Sequence, residues 1–286
     1  MASALRALSI PLPNGSRISV VLTLPFVIIH LLALLIFFIP FHWSYLITCA
    51  ALLAVRMFFV TAGYHRYFSH RAFKTSRVFQ FVIAFMAMTS AQKGVLWWAA
   101  HHRHHHKYSD QELDLHSPTL FGFFWSHVGW IVSDKYNDTR LNYIGDFAKF
   151  PELVWLNKYH LIPPVALGAA LWLIGGWPLF IWGFCLSTVL LWHDTFTINS
   201  LSHLFGSRRY DTTDTSKNNW LLALMTLGEG WHNNHHHYMA SARQGFFWWE
   251  VDITYYTLKT LSWFGLVWDL RKVPAHILNP EQELAA

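Results

Sequence analysis

Long apolar runs, each with at most one Lys, Arg, Asp or Glu, constrain the fold of this chain more than any other feature of its sequence. The first run covers residues 20–39 and the second 45–63, and a later pair covers 159–175 and 177–192. A helix of about 20 apolar residues crosses the hydrocarbon core of a bilayer. The runs therefore predict an all-α integral membrane protein with four transmembrane helices, arranged as two hairpins.

The composition agrees with this prediction. Only 13% of the 286 residues are charged, whereas soluble domains average about 25%. The net charge of +5 is modest and no nucleic-acid motif is present, so a lipid bilayer is the expected partner and nucleic acid is not. Cys49 and Cys185 both lie inside apolar runs, which argues against a disulfide.

Loop charges indicate the orientation of the hairpins. The connectors 40–44 and 175–178 contain no Lys or Arg, whereas basic residues occur in 66–74, 135–140 and 208–217. Because Lys and Arg favour the cytoplasmic side of a membrane, both connectors are expected outside. Both termini and every histidine cluster are then expected in the cytoplasm.

Two further hydrophobic segments are predicted to lie at the membrane surface. Segment 78–95 contains Gln and Lys, and if it crossed the bilayer it would separate His70 from His102. It is therefore interpreted as a half-buried helix on the inner side, with a true span as the alternative. Segment 245–270 mixes Trp and Phe with charged residues, which is typical of an interfacial helix. Residues 1–286 are expected to form one domain with a helical, histidine-rich cytoplasmic cap.

Histidines gather in three short clusters outside the four runs. In the second and third clusters they follow the i, i+3, i+4 spacing that places side chains on one helix face. His101, His104 and His237 adjoin these clusters but fall off the shared faces. The residues predicted to converge are His102, His105 and His106 in the second cluster and His232, His235 and His236 in the third.

The first cluster has a different spacing. His65 and His70 are five residues apart, so a regular helix would have to end or unwind near Phe68 for both to share a site. A fourth contribution comes from Asn199 and His203, which are four residues apart just beyond the last apolar run.

So many imidazoles indicate two metal ions, because one zinc ion takes about four ligands. Imidazole sites suit Zn, Cu, Fe or Ni, but a zinc hydrolase needs only about three protein ligands. Soluble di-iron proteins use bridging carboxylates and a Glu-x-x-His motif from each of two helices, whereas only Glu229 and His232 have this spacing here. The pattern thus favours a histidine-rich, oxygen-activating di-iron site beside the membrane. Ligating imidazoles usually donate their second N–H to an oxygen acceptor, and the candidate acceptors are Asp110, Asp114, Asp194, Asp211, Asp214 and Glu229.

A histidine-rich metal transporter is the alternative from another functional class. It would place histidines or carboxylates along a pathway within the spans. Only His30, Arg56 and His160 lie there. His160 is at the start of its run, and Arg56 is expected to extend to the inner surface. The isolated histidines are interpreted as structural; they are His30, His42, His160, His193 and His276.

The order of these motifs resembles a known family. Between Thr61 and Val273 the chain carries the three histidine clusters, a Phe-Trp-Ser-His-Val-Gly-Trp segment at 124–130, and the Asn199 to His203 element. The arrangement resembles the integral-membrane fatty acyl desaturases, the family of stearoyl-CoA (delta-9) desaturase, in their bacterial form. The resemblance implies a multi-pass protein of the bacterial inner membrane.

The resemblance also implies a reaction and its cofactors. It implies two iron ions, with O2 as co-substrate, and the introduction of a cis double bond at the delta-9 position of a saturated acyl chain. Electrons would come from a separate carrier of the ferredoxin, rubredoxin or cytochrome b5 type with its reductase. A related hydroxylase or acetylenase remains an alternative. The implied ligands are His65, His70, His102, His105, His106, His203, His232, His235 and His236, with Asn199 reaching one iron through water.

An acyl chain needs a narrow apolar tunnel. In the animal acyl-CoA desaturases of the family that this chain resembles, an Arg-Asp pair before the second cluster contacts coenzyme A. Ala100 and His101 occupy these positions here. Acyl-CoA, acyl-lipid and acyl carrier protein therefore all remain possible substrates. The residues expected to line the tunnel are Trp97, Trp98, Trp125, Trp130, Trp192, Phe196 and Thr197.

Overall fold

The computed structural model describes residues 9–11 and 17–278. In this part of the chain, three helices are long and apolar enough to cross a membrane: Val20–Phe38, Trp43–Ser69 and Ile162–Leu204. They expose large apolar side chains, as lipid-facing helices do. The expected positions of the two termini, Met1 and Ala286, lie outside the described residues.

Helices dominate the fold, and two small antiparallel strand pairs accompany them. Strand β1 (Ser9–Pro11) pairs with β2 (Arg17–Ser19), and β3 (Lys74–Thr75) pairs with β4 (Val267–Trp268). The α-helices are α1 (Val20–Ala33), α2 (Trp43–Phe59), α3 (Arg77–Met88), α4 (Val95–Tyr108), α5 (Pro118–Phe121), α6 (Gly145–Ala148), α7 (Pro151–Lys158), α8 (Ile162–Leu179), α9 (Ser187–Leu204), α10 (Trp220–Met225), α11 (His232–His237), α12 (Ile253–Trp263) and α13 (Ala275–Leu278). Three segments are π-helical, Val60–Ser69, Trp125–Gly129 and Phe180–Leu186, and three are 3-10 helices, Leu34–Phe38, Asp134–Tyr136 and Leu141–Tyr143.

The longest apolar helix folds back on itself at the predicted turn. Gly176 has a φ of 62°, which only glycine adopts readily, and Gly175 is also non-helical. A Cβ on Gly168 would lie 3.2 Å from Phe180 and 3.5 Å from Phe184, so the two arms pack closely. The predicted hairpin is therefore present. Its second arm continues to the end of α9, further than the predicted run 177–192.

Arg56 of α2 does not reach the inner surface, and this expectation is wrong. Its side chain is 1% exposed and lies among the packed helices. The guanidinium donates hydrogen bonds of 2.8 Å to the hydroxyls of Ser187 and Thr188, and one of 2.7 Å to the Thr89 carbonyl. These bonds hold the two terminal nitrogens of the guanidinium inside the helix bundle, while its Nε has no partner among the described residues.

Segment 78–95 forms one short helix, α3, which spans about 18 Å at 1.5 Å per residue. That length is well short of a hydrocarbon core of about 30 Å. The helix also leaves the first two histidine clusters on the same side, as predicted.

Segment 245–270 is not the single helix that was expected. Only α12 is helical, and β4 follows it and pairs with β3. The N–H groups of Gln244 and Tyr255 bond instead to the buried carboxylate of Asp252. This carboxylate ends the irregular stretch and caps α12, so the helix begins later than the composition suggests.

Candidate metal centre

The first histidine cluster lies on the π-helical extension of α2, Val60–Ser69. A π-helix bonds each N–H to the carbonyl five residues earlier, and the His70 N–H donates to the His65 carbonyl at 3.2 Å. The five-residue spacing therefore suits this wider helix, and the two ring centroids are 4.8 Å apart. The helix widens and ends at Ser69, one residue after Phe68, which confirms the expectation that it would end or unwind there.

Five imidazoles converge in what we call the five-histidine group. The Nε2 atoms of His70 and His102 are 2.9 Å apart, as are those of His106 and His235. Two nitrogen ligands about 2.1 Å from one ion and at right angles to each other would be about 3 Å apart. The spacing thus fits the ligands of a single ion. The members, whose nitrogens all lie within 4.8 Å of one another, are His65, His70, His102, His106 and His235.

Four more imidazoles form the adjacent four-histidine group. The Nε2 atoms of His203 and His232 are 3.1 Å apart. The Nε2 atoms of His105 and His236 are buried and have no hydrogen-bond partner among the described residues. Buried nitrogens are rarely left without a partner, so these two fit metal ligands. The members are His105, His203, His232 and His236.

Each helical cluster is divided between the two groups, and the prediction that its three histidines converge on one point is therefore wrong. In α4, His102 and His106 face the five-histidine group while His105 faces the other. In α11, His235 belongs to the five-histidine group, whereas His232 and His236 belong to the four-histidine group. Adjacent helical residues point about 100° apart, so a helix lying between two centres supplies both.

The adjoining histidines lie outside both groups, as predicted. His101 bonds through Nδ1 to the Trp97 carbonyl at 2.8 Å. His104 bonds through Nε2 to the Leu113 carbonyl at 2.7 Å. The ring of His237 stacks parallel to a tyrosine ring at 4.0 Å.

Four of the six candidate carboxylates accept hydrogen bonds from imidazoles of the two groups. Asp211 does not, because it lies at the surface beside Arg208, and no imidazole bond to Asp194 is found among the described residues. The four bonds connect Glu229 with His65, Asp114 with His105 at 2.8 Å, Asp110 with His203 at 3.2 Å, and Asp214 with His236 at 2.6 Å.

Burial controls the protonation of the centre. Burial, reinforced by neighbouring imidazoles, lowers the pKa values of His70, His102 and His235 well below the usual range. Burial alone would raise the pKa of Asp214, but its bond to His236 outweighs this effect and lowers it. These three imidazoles are therefore neutral at pH 7 and the Asp214 carboxylate is ionised, which is the state that binds metal ions. Burial alone would lower the pKa of His105, but the charge of Asp114 outweighs this effect and raises it.

Sequence reasoning missed an ion-pair network that supports the first cluster. Arg66 is 1% exposed and donates to Glu229 at 3.0 Å and to Asp252 at 3.0 Å. Gln244 donates to the second oxygen of Glu229 at 2.9 Å. Arg66 looks like an ordinary basic residue in the sequence, since its two acidic partners are more than 160 positions away.

His116 was also missed. It is 4% exposed, and its ring is nearly parallel to that of His105 at a centroid distance of 4.2 Å. With His105 and Asp114 it forms a third set of possible metal ligands. His116 follows an irregular segment, so helical spacing gave no signal for it.

A largely apolar cavity of about 780 Å³ reaches the five-histidine group at His102. His102, His116 and Asn199 lie along its wall near the metal-binding side, whereas Phe184 and Thr188 lie further along the hairpin. Positions 188 and 199 of α9 are about 16 Å apart along the helix axis. The cavity is therefore long enough to hold an extended hydrocarbon chain.

Most of the expected lining residues contact this cavity. Trp125 and Thr197 do not line it. Trp125 is buried and donates to the Leu115 carbonyl at 3.0 Å, and the Thr197 hydroxyl donates to the Asp194 carbonyl at 2.6 Å. The expected residues that do line it are Trp97, Trp98, Trp130, Trp192 and Phe196.

Comparison with known proteins agrees with this geometry. The family profile described as "Fatty acid desaturase" matches residues 41–262. The chain is 38% identical to an acyl-CoA C20 Delta5-desaturase of Anemone leveillei, over 83% of this chain and 77% of that protein. It is 36% identical to an sn-2 palmitoyl-lipid 9-desaturase of Nostoc sp., over 72% of this chain and 74% of that protein. It is also 36% identical to an sn-1 stearoyl-lipid 9-desaturase of Anabaena variabilis, over 89% of this chain and 94% of that protein.

Proposed function

Because the chain belongs to the fatty acid desaturase family and is an oxidoreductase, we propose that it introduces a cis double bond at the delta-9 position of a saturated acyl chain. The observation that carries this proposal is that His102 of the five-histidine group lines one long apolar cavity, while the four-histidine group lies next to the five-histidine group. The reaction removes two hydrogen atoms from adjacent carbons. Two electrons and two protons are supplied, and O2 leaves as two water molecules.

We assign one iron ion to each histidine group. All-imidazole sites suit iron, and the buried, unpartnered Nε2 atoms of His105 and His236 fit metal ligands. We further assign Asn199 to the four-histidine group, because it lies one turn before His203 on α9 and lines the cavity. When bound, the two ions supply the O2-dependent oxidising power that an unactivated C–H bond requires.

The chain's own residues hold the substrate and orient the ligands. The ring of Trp98 stacks on His102 with centroids 5.0 Å apart and also lines the cavity. The side chain of Gln92 accepts from the Trp98 indole at 3.1 Å and donates to Thr195 at 3.1 Å. These contacts fix the cavity wall beside the metal site, and a rigidly held chain presents one pair of carbons for reaction.

A lipid-linked acyl chain is the substrate that we favour. Ala100 and His101 are buried, with exposures of 0% and 1%, so this position offers no charge to a coenzyme A phosphate. Arg103 is not free to replace it, since it donates to Asp146 at 2.8 Å. Two of the relatives named above act on palmitoyl-lipid and stearoyl-lipid. We propose that a separate carrier of the ferredoxin, rubredoxin or cytochrome b5 type delivers the electrons.

Product analysis tests the activity. The chain is expressed in a host that lacks delta-9 unsaturated lipids, and double bonds are derivatised before gas chromatography–mass spectrometry. We expect a cis double bond at carbon 9. A hydroxylated or acetylenic product would identify the related reaction, and a double bond elsewhere would correct the position.

Purified enzyme with a reconstituted donor is then given stearoyl-CoA and stearoyl phospholipid. Saturable turnover of stearoyl-CoA without turnover of the lipid would overturn the proposed carrier.

Metal analysis tests the cofactor. Protein made in iron-replete medium is expected to contain close to two Fe per chain. Active protein with a single zinc ion would overturn the assignment. Zinc in inactive overexpressed protein would show mis-metallation, since zinc binds such sites more tightly than Fe(II).

The apolar helices and the family make this a membrane protein, and we propose that it crosses the bacterial inner membrane four times, with α8 and α9 as separate spans. Labelling of cysteines introduced at Ser44, Gly176 and Ser207 tests the orientation. The first two are expected to react from outside, and the third only from the cytoplasm. External labelling at Ser207 would contradict the cytoplasmic cap.

A further inference from the structure

The cavity that reaches His102 is not closed at the outer surface of the apolar helices. Val21 of α1 and Val165 of α8 both line it, yet they are 48% and 65% exposed. Thr188 and Phe196 line the same cavity and are only 0% and 4% exposed. The cavity therefore connects the outer surface of the apolar helices with the interior beside the metal site.

The opening lies between the first halves of α1 and α8. Further along, Ala33 and Leu171 pack in one buried cluster together with Phe184. The two helices are thus joined through this cluster at one end and separated by the cavity at the other. Because both helices are apolar and long enough to belong to membrane spans, we expect the opening to face lipid hydrocarbon.

Pro25 interrupts the backbone hydrogen bonding of α1 beside the cavity. A proline within a helix has no N–H to donate to the carbonyl four residues earlier, which here belongs to Val21. Both Pro25 and Val21 line the cavity. A missing hydrogen bond at this place lets the start of α1 bend, which would widen the opening.

A cation lies near the opening. Lys93 is the only Lys or Arg among the described residues that line the cavity. Its ammonium donates to Asn137 at 3.0 Å and lies 4.6 Å from the centroid of the Trp97 ring. A polar group of this kind at the edge of an apolar cavity suits a lipid whose headgroup stays at the membrane surface while its chain enters.

We propose that the gap between α1 and α8, lined by Val21 and Val165, is a lateral portal through which the acyl chain of a membrane lipid enters from the bilayer. This inference rests on the proposed function for its chemistry. It adds the route: the chain passes between the two helices and follows α9 from Thr188 towards Asn199. The portal belongs to this chain's own helices and needs no partner subunit.

Photolabelling in vesicles tests the portal. The whole enzyme is placed in phosphatidylcholine vesicles with a trace of phosphatidylcholine whose palmitoyl chain carries a diazirine. After illumination, mass spectrometry measures the label on Thr188, Trp192 and Phe196, which line the cavity and are buried. Label on Leu190, which is 40% exposed on the outer surface of the same helix, is counted separately. Val165→Trp and Val21→Trp are each expected to lower the label on the three buried residues about tenfold, which corresponds to about 1.4 kcal/mol.

A matched control lies on the same helix. Leu173 is 76% exposed and does not line the cavity, so Leu173→Trp adds the same side chain to the lipid-facing surface without blocking the opening. It is expected to leave the label unchanged. Val165→Ala should keep or increase the label, which excludes loss of folding as the cause of an effect at this position.

The outcomes separate the portal from the proposed activity. Wild-type labelling in both rim tryptophan variants would overturn the portal, even if the enzyme desaturates lipids. Strong labelling of the wild type that both rim variants abolish would support the portal, even if no double bond forms; the proposed function would then fail alone. If two chains associate and cover the opening, labelling of the wild type will be weak and will rise on dilution. This result would also overturn the portal.

Discussion

The two histidine groups differ in their number of imidazoles and in what holds those imidazoles in place. In the five-histidine group, among the described residues, only His65 bonds to a carboxylate, that of Glu229. In the four-histidine group three of the four imidazoles bond to carboxylates. These bonds join His105 to Asp114, His203 to Asp110 and His236 to Asp214.

This difference indicates that the two histidine groups would not be equivalent metal sites. Carboxylate partners make an imidazole a stronger ligand and fix its orientation. The four-histidine group therefore has fewer imidazoles but more negative surroundings. The five-histidine group relies instead on the number of its imidazoles and on their close packing.

The largest expected effect comes from removing one ligand from each group. His105→Ala and His235→Ala should abolish activity, with a loss greater than the roughly 10–100-fold that removal of an outer hydrogen-bond partner typically causes. His104→Ala and His237→Ala should retain substantial activity, because these rings face away from both groups. Product formation and iron content are measured for all four variants. Equal loss in all of them would show that the ligand assignment has the wrong helical register.

The next effect concerns the support of the five-histidine group. Arg66→Met leaves Glu229 and Asp252 as buried carboxylates without their cation, so we expect the free energy of unfolding to fall by about 3–5 kcal/mol. Arg77→Met is the control, since Arg77 pairs with Glu152 while its own side chain is 62% exposed. That change should cost about 0–1 kcal/mol. Denaturant titration of both purified variants measures the difference, and similar losses would contradict the structural role of Arg66.

Removing single carboxylates tests directly whether metal binding by the two groups depends to a different extent on their carboxylate partners. Asp214→Asn should weaken metal binding or activity by about 10–100-fold, because His236 loses a charged acceptor. Glu229→Gln should have a smaller effect on metal content, since four imidazoles of its group do not depend on Glu229. Asp211→Asn provides a control three positions from Asp214, as Asp211 contacts Arg208 at the surface. A larger metal loss in Glu229→Gln than in Asp214→Asn would show that the five-histidine group depends more on its carboxylate partner than the four-histidine group does.

The smallest expected effect is a pH dependence of the metal-free protein. Burial lowers the pKa of His236 to about 4, whereas an unfolded histidine titrates near 6.5. Between pH 6.5 and pH 4 the unfolded state binds the additional proton, so stability should fall by up to about 1.4 kcal/mol per pH unit for this group. Thermal unfolding of metal-free protein at pH 7, 6 and 5 measures the slope. A melting temperature that stays constant or rises towards pH 5 would contradict a buried, neutral imidazole.

Much of the architecture could be predicted from the chain alone. Uncharged stretches of about 20 residues have few stable arrangements other than a membrane helix, and Gly175 and Gly176 allow the reversal between two of them. The i, i+3, i+4 spacing placed the histidines of α4 and α11 on helices and separated them from His104 and His237. These features depend on contacts between near neighbours in the chain, which sequence spacing records.

The division of those histidines between two centres was decided only by the tertiary structure. Neighbours such as His105 and His106 point about 100° apart, and whether they bind one ion or two depends on which other helices approach each side. The same reason applies to Arg66, whose partners lie more than 160 positions away, and to the opening between Val21 and Val165. Helical periodicity specifies the direction of a side chain around its own axis, but the packing of distant helices determines what that side chain meets.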